Sequence, residues 1–335
     1  MSSAVGNAPM PFAPTRSQLN MAYSVCRHIA RSSAKNFYYG FVVFPPRKRN
    51  ALAAVYAFMR RCDDITDDNT LSPADRQNRL ADWLDKVHRA LAGYPTDDPV
   101  LLALTDAQRS YQIPIGLLDQ LAFGTAADLE QAQVSAQMTG TILGYPEGLS
   151  ENAELQAQLR NQGAPLVARY ETFEELRQYC YGVASVVGLV CIRIFGYRDP
   201  AAEPLAERCG LAFQLTNIIR DVKEDVAMGR VYFPEEDLLR CGLLASDLAT
   251  PEISRIRPLL AMEADRAREY YRSGEELIPF VSEDSQPGLW VLITIYRRLL
   301  EKIAAKDYDV FGERIRLTVP EKLGVLSKGI VKRLL

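Results

Sequence analysis

The chain has 335 residues, 48% apolar and 24% charged, with a formal net charge of -3. That composition belongs to a soluble globular protein, and the slight negative balance excludes nucleic acid as the main partner. Two histidines and six cysteines without a CxxC pair exclude a zinc framework and read as reduced, mostly buried thiols of a cytoplasmic protein. Residues 1–16 have no apolar signal core and are expected to form a disordered leader. Helical patterns follow over 17–32, 48–68, 74–92, 98–111, 115–123, 172–195, 201–227, 251–277 and 287–306. Pro45-Pro46 breaks the chain before the second of these, and Ser72-Pro73-Ala74-Asp75 caps the third. Residues 308–318 read as a short hairpin. Residues 130–168, rich in Gln, Gly, Ala and Asn, read as a loop insertion in one domain spanning 17–335. No uninterrupted apolar run reaches the roughly 20 residues that cross a bilayer, and Val183–Ile192 reads as a buried helix.

One pattern occurs twice, 158 residues apart: an acidic i, i+4 pair on a helix. In the first copy Tyr56, Arg60, Asp63 and Asp67 share a stripe, because steps of three and four return to one helix face. Asp64 and Asp68 lie about 100° further round. Four carboxylates within six residues repel one another, and they sit where the helix dipole already disfavours anions. A divalent cation would compensate, and hard oxygen ligands select Mg²⁺ or Ca²⁺. The second copy is Gln214, Asn217, Asp221, Glu224 and Asp225, on a helix otherwise built from Leu211, Phe213, Leu215, Ile218, Ile219 and Val222. A polar stripe on so apolar a helix needs partners inside the protein. Neither segment has the central glycine of a calcium loop. Alone, each cluster reads as a solvated face; together they suit a metal cluster that clamps a diphosphate.

Residues 60–68 (RRCDDITDD) and 214–234 (QLTNIIRDVKEDVAMGRVYFP) resemble the two signature motifs of the squalene/phytoene synthase family. SSAKNFYYGFVVFPP (32–46), YCYGVASVVGLV (179–190) and DYDVFGERIRL (307–317) resemble further segments of that family, in order. The resemblance implies an all-α, single-domain isoprenoid synthase fold with helices around a central cavity. It implies three Mg²⁺ ions held by Asp63, Asp67, Asn217, Asp221 and Asp225. It implies diphosphate contacts from Arg60, Arg220 and Arg314, and substrate contacts from Ser33, Lys35, Asn36, Phe37, Gln214, Tyr232 and Tyr296. Tyr56 and Tyr179 are expected at the reaction centre beside Arg60 and Arg220, with Tyr179 relaying a proton. The implied reaction joins two farnesyl diphosphates into presqualene diphosphate, and completion to squalene calls for NADPH. Joining two geranylgeranyl diphosphates into phytoene is the alternative. The wording of DVKEDVAMGRVYFPEEDL favours the first.

Three features depart from the family pattern. The 130–168 excursion is longer than expected, its acidic patch shrinks to Asp128-Leu129-Glu130, and no membrane helix follows Leu335. The form therefore looks bacterial and soluble, with peripheral membrane contact left open by so greasy a substrate, and the oligomeric state also open. A terpene cyclase would share the Asn217, Asp221, Asp225 spacing but not the other segments. A non-catalytic assembly factor would be expected to lose the aspartates.

Overall fold

The computed structural model describes residues 13–33, 37–68, 70–126 and 166–334. These residues contain no β-strand, only isolated bridges between Ala168 and Val231 and between Tyr197 and Val281. The helices, in order, are α1 (Arg16–Ser33), α2 (Phe37–Val43), α3 (Pro46–Thr66), α4 (Pro73–Leu91), α5 (Pro99–Tyr111) and α6 (115–126). They continue with α7 (Phe173–Phe195), α8 (Ala202–Ala227), α9 (Glu235–Arg240), α10 (Ile253–Leu277), α11 (Gln286–Ala305) and α12 (Val319–Leu334). One cluster of buried apolar side chains runs from Ala22 in α1 to Val325 in α12. The expected all-α architecture is therefore present. The insertion read at 130–168 lies largely outside the described residues, as do Lys35, Asn36 and the Asp128-Leu129-Glu130 patch.

Local chemistry explains most helix starts. Pro46 opens α3 at a position where no amide hydrogen is needed. The Ser72 hydroxyl accepts from the Asp75 amide at 3.1 Å and donates to the Asp75 carboxylate at 2.7 Å, closing the first turn of α4. Asp98 accepts from the Val100 amide at 2.8 Å at the start of α5. Three helices were not expected from the sequence: α2, α9 and α12. Residues 308–318 form no hairpin. Asp307 and Tyr308 take φ values of 56° and 59°, turning the chain sharply out of α11. Val310, Ile315 and Leu317 are then buried from an irregular strip with no partner strand among the described residues.

Helix α7 is central. It is long and apolar enough to cross a membrane, yet from Tyr179 to Phe195 none of its residues is exposed. It packs on α8, as the reading of Val183–Ile192 as a buried helix anticipates. Tyr181–Ser185 form a single π turn within it, closed by the Val186 amide on the Tyr181 carbonyl. Gly210 of α8 presses on this turn: a Cβ there would lie 2.6 Å from the Ala184 carbonyl oxygen and 2.8 Å from Ser185 Cα. The buried Ser185 hydroxyl donates to the Glu207 carbonyl at 2.8 Å across the same crossing. The far end of α7 is pinned by Lys48 of α3, which donates to the Phe195 carbonyl at 2.7 Å and to Ser285 at 2.8 Å. All six cysteines are free, four of them buried.

Helices α9 and α10 meet around a buried charge group. Asp237 is 0% exposed and Glu263 1%. Arg266 donates to Asp237 and to Glu263, each at 2.7 Å. Two carboxylates share one guanidinium here, and Glu263 Oε2 has no hydrogen-bond partner. Burial above all, and then Asp237, push the Glu263 carboxyl up from 4.5 to about 7, against the pull of Arg266. The folded state therefore holds a proton that the unfolded state releases, so this group's stabilising contribution is complete below pH 4.5 and is lost as pH rises through 7. Glu263→Gln mimics the protonated form. It is expected to raise stability by about 2 kcal/mol at pH 8, with the gain vanishing toward pH 4.5, as read by chemical denaturation across that range.

Candidate functional site

Helix α8 supplies the second acidic stripe. Leu211, Leu215, Ile218, Ile219 and Val222 are buried in the core. That leaves Phe213, Gln214, Asn217, Arg220, Asp221, Glu224 and Asp225 half-buried along one side. Asp221 is the hub of this face. The Arg220 guanidinium grips both its oxygens, with Nε at 2.6 Å from Oδ1. Arg314, from the irregular strip after α11, reaches the same Oδ1 from Nη2 at 2.6 Å and Nε at 3.0 Å. It also lies 3.6 Å from Glu224. Lys223 donates to the Gly312 carbonyl at 2.9 Å and fastens that strip to α8. The segment read as a hairpin is thus a strap that delivers an arginine to Asp221.

Helix α3 supplies the first stripe. Burial, then repulsion from Asp67, pushes the Asp63 carboxyl up to about 6, while Arg60 opposes the shift. Asp64 faces outward in an ion pair with Arg60 at 2.6 Å. Asp68 closes a turn, accepting from the Thr70 amide at 3.0 Å and its hydroxyl at 2.5 Å. The two off-stripe carboxylates are therefore engaged with their own surroundings. Arg60 and Ser33 line a groove of about 340 Å³ between the end of α1 and α3, together with Ile29, Ser32, Arg61 and Asp64.

Tyr296 of α11 packs against the α8 stripe. Its ring stacks on Phe213 at 4.3 Å and 10° and meets Phe37 of α2 at 5.4 Å. Burial pushes the pKa of its hydroxyl well above the ordinary tyrosine range. Arg220 and Asp221 of α8 and, from α3, Tyr56 act on it electrostatically. Tyr56 is itself raised by burial and lies in the field of Arg60 and Asp63. One aromatic surface thus joins α2, α8 and α11, with Tyr56 of α3 close enough to act on Tyr296 electrostatically. Asn217 donates to Gln214 at 3.5 Å.

A second aromatic group gathers at the start of α7. Tyr179 stacks on Tyr232 at 5.3 Å and 23°, and Tyr170 lies 5.6 Å away. The Arg169 guanidinium sits 5.1 Å over Tyr232. Backbone bonds from Arg169 to Val231 and from Glu235 to Tyr170 hold the two chain segments side by side. Sequence reading missed Phe213, Tyr170 and Arg169. Phe213 was within reach, since it lies four residues before Asn217 on the same stripe; Tyr170 and Arg169 carry no such spacing.

Two buried oxygens bear on a metal. Asn217 Oδ1 and Glu224 Oε2 have no hydrogen-bond partner, and both lie on the α8 stripe. Among the described residues no three acidic, histidine or cysteine side chains gather tightly enough to hold an ion alone. The donor set fits a hard cation bound by one or two carboxylates, with phosphate and water oxygens completing its shell, as Mg²⁺ prefers.

Known proteins resemble this chain in sequence and in fold. The squalene/phytoene synthase family profile matches residues 30–321. The chain is 31% identical to the 15-cis-phytoene synthase of Synechocystis sp., over 94% of this chain and 86% of that protein. It is 34% identical to the phytoene synthase of Mycobacterium bovis, over 93% and 92%. Its fold superposes on a dehydrosqualene synthase with a TM-score of 0.75 at 26% identity, covering 93% of this chain and 96% of that one. The squalene synthase HpnC from Alicyclobacillus acidocaldarius gives 0.69 at 25% identity, covering 88% and 97%. Members of the matched family are prenyltransferases that condense isoprenyl diphosphates head to head. With an all-α architecture among the described residues and a family match over most of its length, this chain belongs to the squalene/phytoene synthase family.

Proposed function

We propose that the chain condenses two farnesyl diphosphates head to head at the aromatic surface between α3 and α8, in the presence of Mg²⁺. The observation that carries this reading is Asp221 held between Arg220 and Arg314. A carboxylate so saturated with arginine is poised to exchange those arginines for a metal ion and hand them to an incoming diphosphate. Asp63 and Asp67 would hold metal from α3, and Asn217, Asp221 and Asp225 from α8. Bound Mg²⁺ neutralises charge on the departing diphosphate. Arg220, Arg314 and Arg60 orient that group and stabilise it more as it leaves than before, which is what accelerates the step. The faces of Tyr296, Phe213 and Phe37 exclude water from the allylic cation left behind and stabilise it by roughly 0.5–2 kcal/mol each. Tyr179, stacked on Tyr232, is the candidate proton relay to the diphosphate. Ser33, Lys35, Asn36 and Gln214 would line the remaining substrate contacts, and Tyr56 the reaction centre.

Likeness in fold to a dehydrosqualene synthase and a squalene synthase favours the farnesyl substrate. Likeness in sequence to phytoene synthases favours a second reading, two geranylgeranyl diphosphates. Incubation with each diphosphate, with and without NADPH, followed by mass analysis, separates them. The expected product is a 30-carbon diphosphate or hydrocarbon from farnesyl diphosphate, lost on chelation and restored by Mg²⁺. Squalene only in the NADPH arm would extend the reaction to reduction. A 40-carbon product alone would establish the second reading, and inertness toward both would overturn the enzymatic one.

A further inference from the structure

The buried charge group between α9 and α10 also touches α7. The Arg266 guanidinium lies 3.9 Å over the ring of Phe173, the first residue of that helix. The same guanidinium is held by Asp237 and Glu263, each at 2.7 Å. Asp237 belongs to α9, whose first residues grip the chain that leads into α7. The Glu235 amide donates to the Tyr170 carbonyl at 2.9 Å, and the Glu236 amide to the Glu171 carbonyl at 3.1 Å. The Glu236 carboxylate accepts from the Phe173 amide at 2.7 Å. The first turn of α7 is thus fixed by α9 and by Arg266 together. Tyr179 stands less than two turns further along the same helix, stacked on Tyr232.

We infer that the Asp237–Arg266–Glu263 group is a positioning device for Tyr179, setting the first turn of α7 and with it the ring stack. With Glu263 neutral, Arg266 pairs with Asp237 and keeps its face on Phe173. With Glu263 ionised, two buried anions compete for one cation, and Glu263 Oε2 is left without a partner. Water or movement must relieve that charge, and the movable parts are α9, six residues long, and the end of α7 that it holds. Burial and Asp237 keep the Glu263 carboxyl neutral up to about 7. The groups around Glu263 are Arg266 on its own helix, Asp237 and, 3.7 Å beyond it, Arg240 of α9, Cys241 just after α9, and Cys180 of α7. Burial pushes both thiols up, so neither ionises near 7. From α8, Arg208 lies over Tyr270, one turn beyond Arg266. The Arg268–Glu301 pair that joins α10 to α11 sits about 140° round the helix from Glu263. The positioning is read from these contacts alone; only its value to catalysis rests on the function proposed above.

The test places para-fluorophenylalanine at position 179 of the full chain and follows its fluorine resonance against pH, without substrate. The resonance is expected to move with a midpoint near 7. Glu263→Gln is expected to hold it at its acid position throughout. Asp237→Asn is expected to shift the midpoint down by about one pH unit or more, since one carboxylate then has Arg266 to itself. Phe173→Leu removes the contact that carries the effect into α7 and is expected to flatten the dependence while leaving Glu263 in place. The inference is overturned if the native resonance does not move, if it moves as far in Glu263→Gln, or if the midpoint is unchanged or higher in Asp237→Asn. It is equally overturned if Phe173→Leu titrates like the native background, because Glu263 would then act on the ring by its field alone. Turnover gives a second measure: kcat with farnesyl diphosphate is expected to fall about fivefold from pH 7 to pH 8 in the native chain and to stay level in Glu263→Gln, with KM unchanged. An equal fall in both would overturn the inference. Inertness toward every diphosphate would overturn the enzymatic reading instead, and the fluorine measurement, which needs no turnover, would still decide the positioning.

Discussion

Asp221→Asn is expected to slow condensation by roughly a thousandfold, the cost of removing a preorganised electrostatic contact from a step that expels charge. The substitution keeps the shape of the side chain and removes its charge. It therefore acts on two partners at once. A metal between α8 and the diphosphate loses a ligand, and Arg220 and Arg314 lose the anion that holds both in place before substrate arrives. The requirement for Mg²⁺ is expected to rise with the loss in rate, since fewer hard oxygens remain on the stripe. Asp68→Asn is the control. Its carboxylate closes an exposed turn at Thr70, past the end of α3, so the rate is expected to stay within roughly threefold of the native one. Initial rates measured against Mg²⁺ concentration for both variants decide the matter. A near-native Asp221→Asn enzyme would remove the metal role from Asp221.

The second large effect concerns the fold beneath the site. A glycine inside a helix ordinarily costs about 1 kcal/mol relative to alanine, so Gly→Ala there should stabilise. Gly210→Ala is expected to do the opposite and destabilise by about 2–3 kcal/mol. The reason is that its Cβ meets backbone rather than a movable side chain: the Ala184 carbonyl oxygen at 2.6 Å and Ser185 Cα at 2.8 Å. The helices must part to admit it, and Ser185 then loses its bond to Glu207. Gly324, on the open face of α12, has nothing within 4 Å of a built Cβ. There Gly→Ala is expected to gain about 1 kcal/mol. Thermal melts of the two variants should move in opposite directions from the native chain.

What could be read from the sequence followed from periodicity and capping chemistry. The long helices α3, α7, α8, α10 and α11 announce themselves by apolar spacing, and α4 by Ser72 with Asp75. The acidic stripes were legible because an i, i+4 repeat is a local property of one helix. The elements that escaped are those made by tertiary contact. Helix α2 is seven residues rich in aromatic and β-branched types, poor helix formers alone, and it is supported by α11. Helix α12 hides behind two glycines, one of which lets it approach Val291. The strap at 309–318 alternates like a strand but finds no partner strand among the described residues, because its task is to carry Arg314 to Asp221. Which aromatic rings stack across helices, such as Phe213 on Tyr296, is a property of the assembled bundle and of no single segment.

The π turn in α7 means that this helix contains one residue more than a regular helix of equal rise. Removing one residue from 181–185 would restore regular winding and leave Tyr179 in phase with the buried end at Phe195, whereas removing one elsewhere in the helix would turn Tyr179 by about 100° relative to that end. Substitutions along α7 can be absorbed one side chain at a time, whereas a deletion outside the π turn changes the phase between two halves that are each anchored separately, one by Tyr232 and the other by Lys48. Diversification of this chain is thus open to exchange of residues along its central helix, and to change in that helix's length only at the π turn.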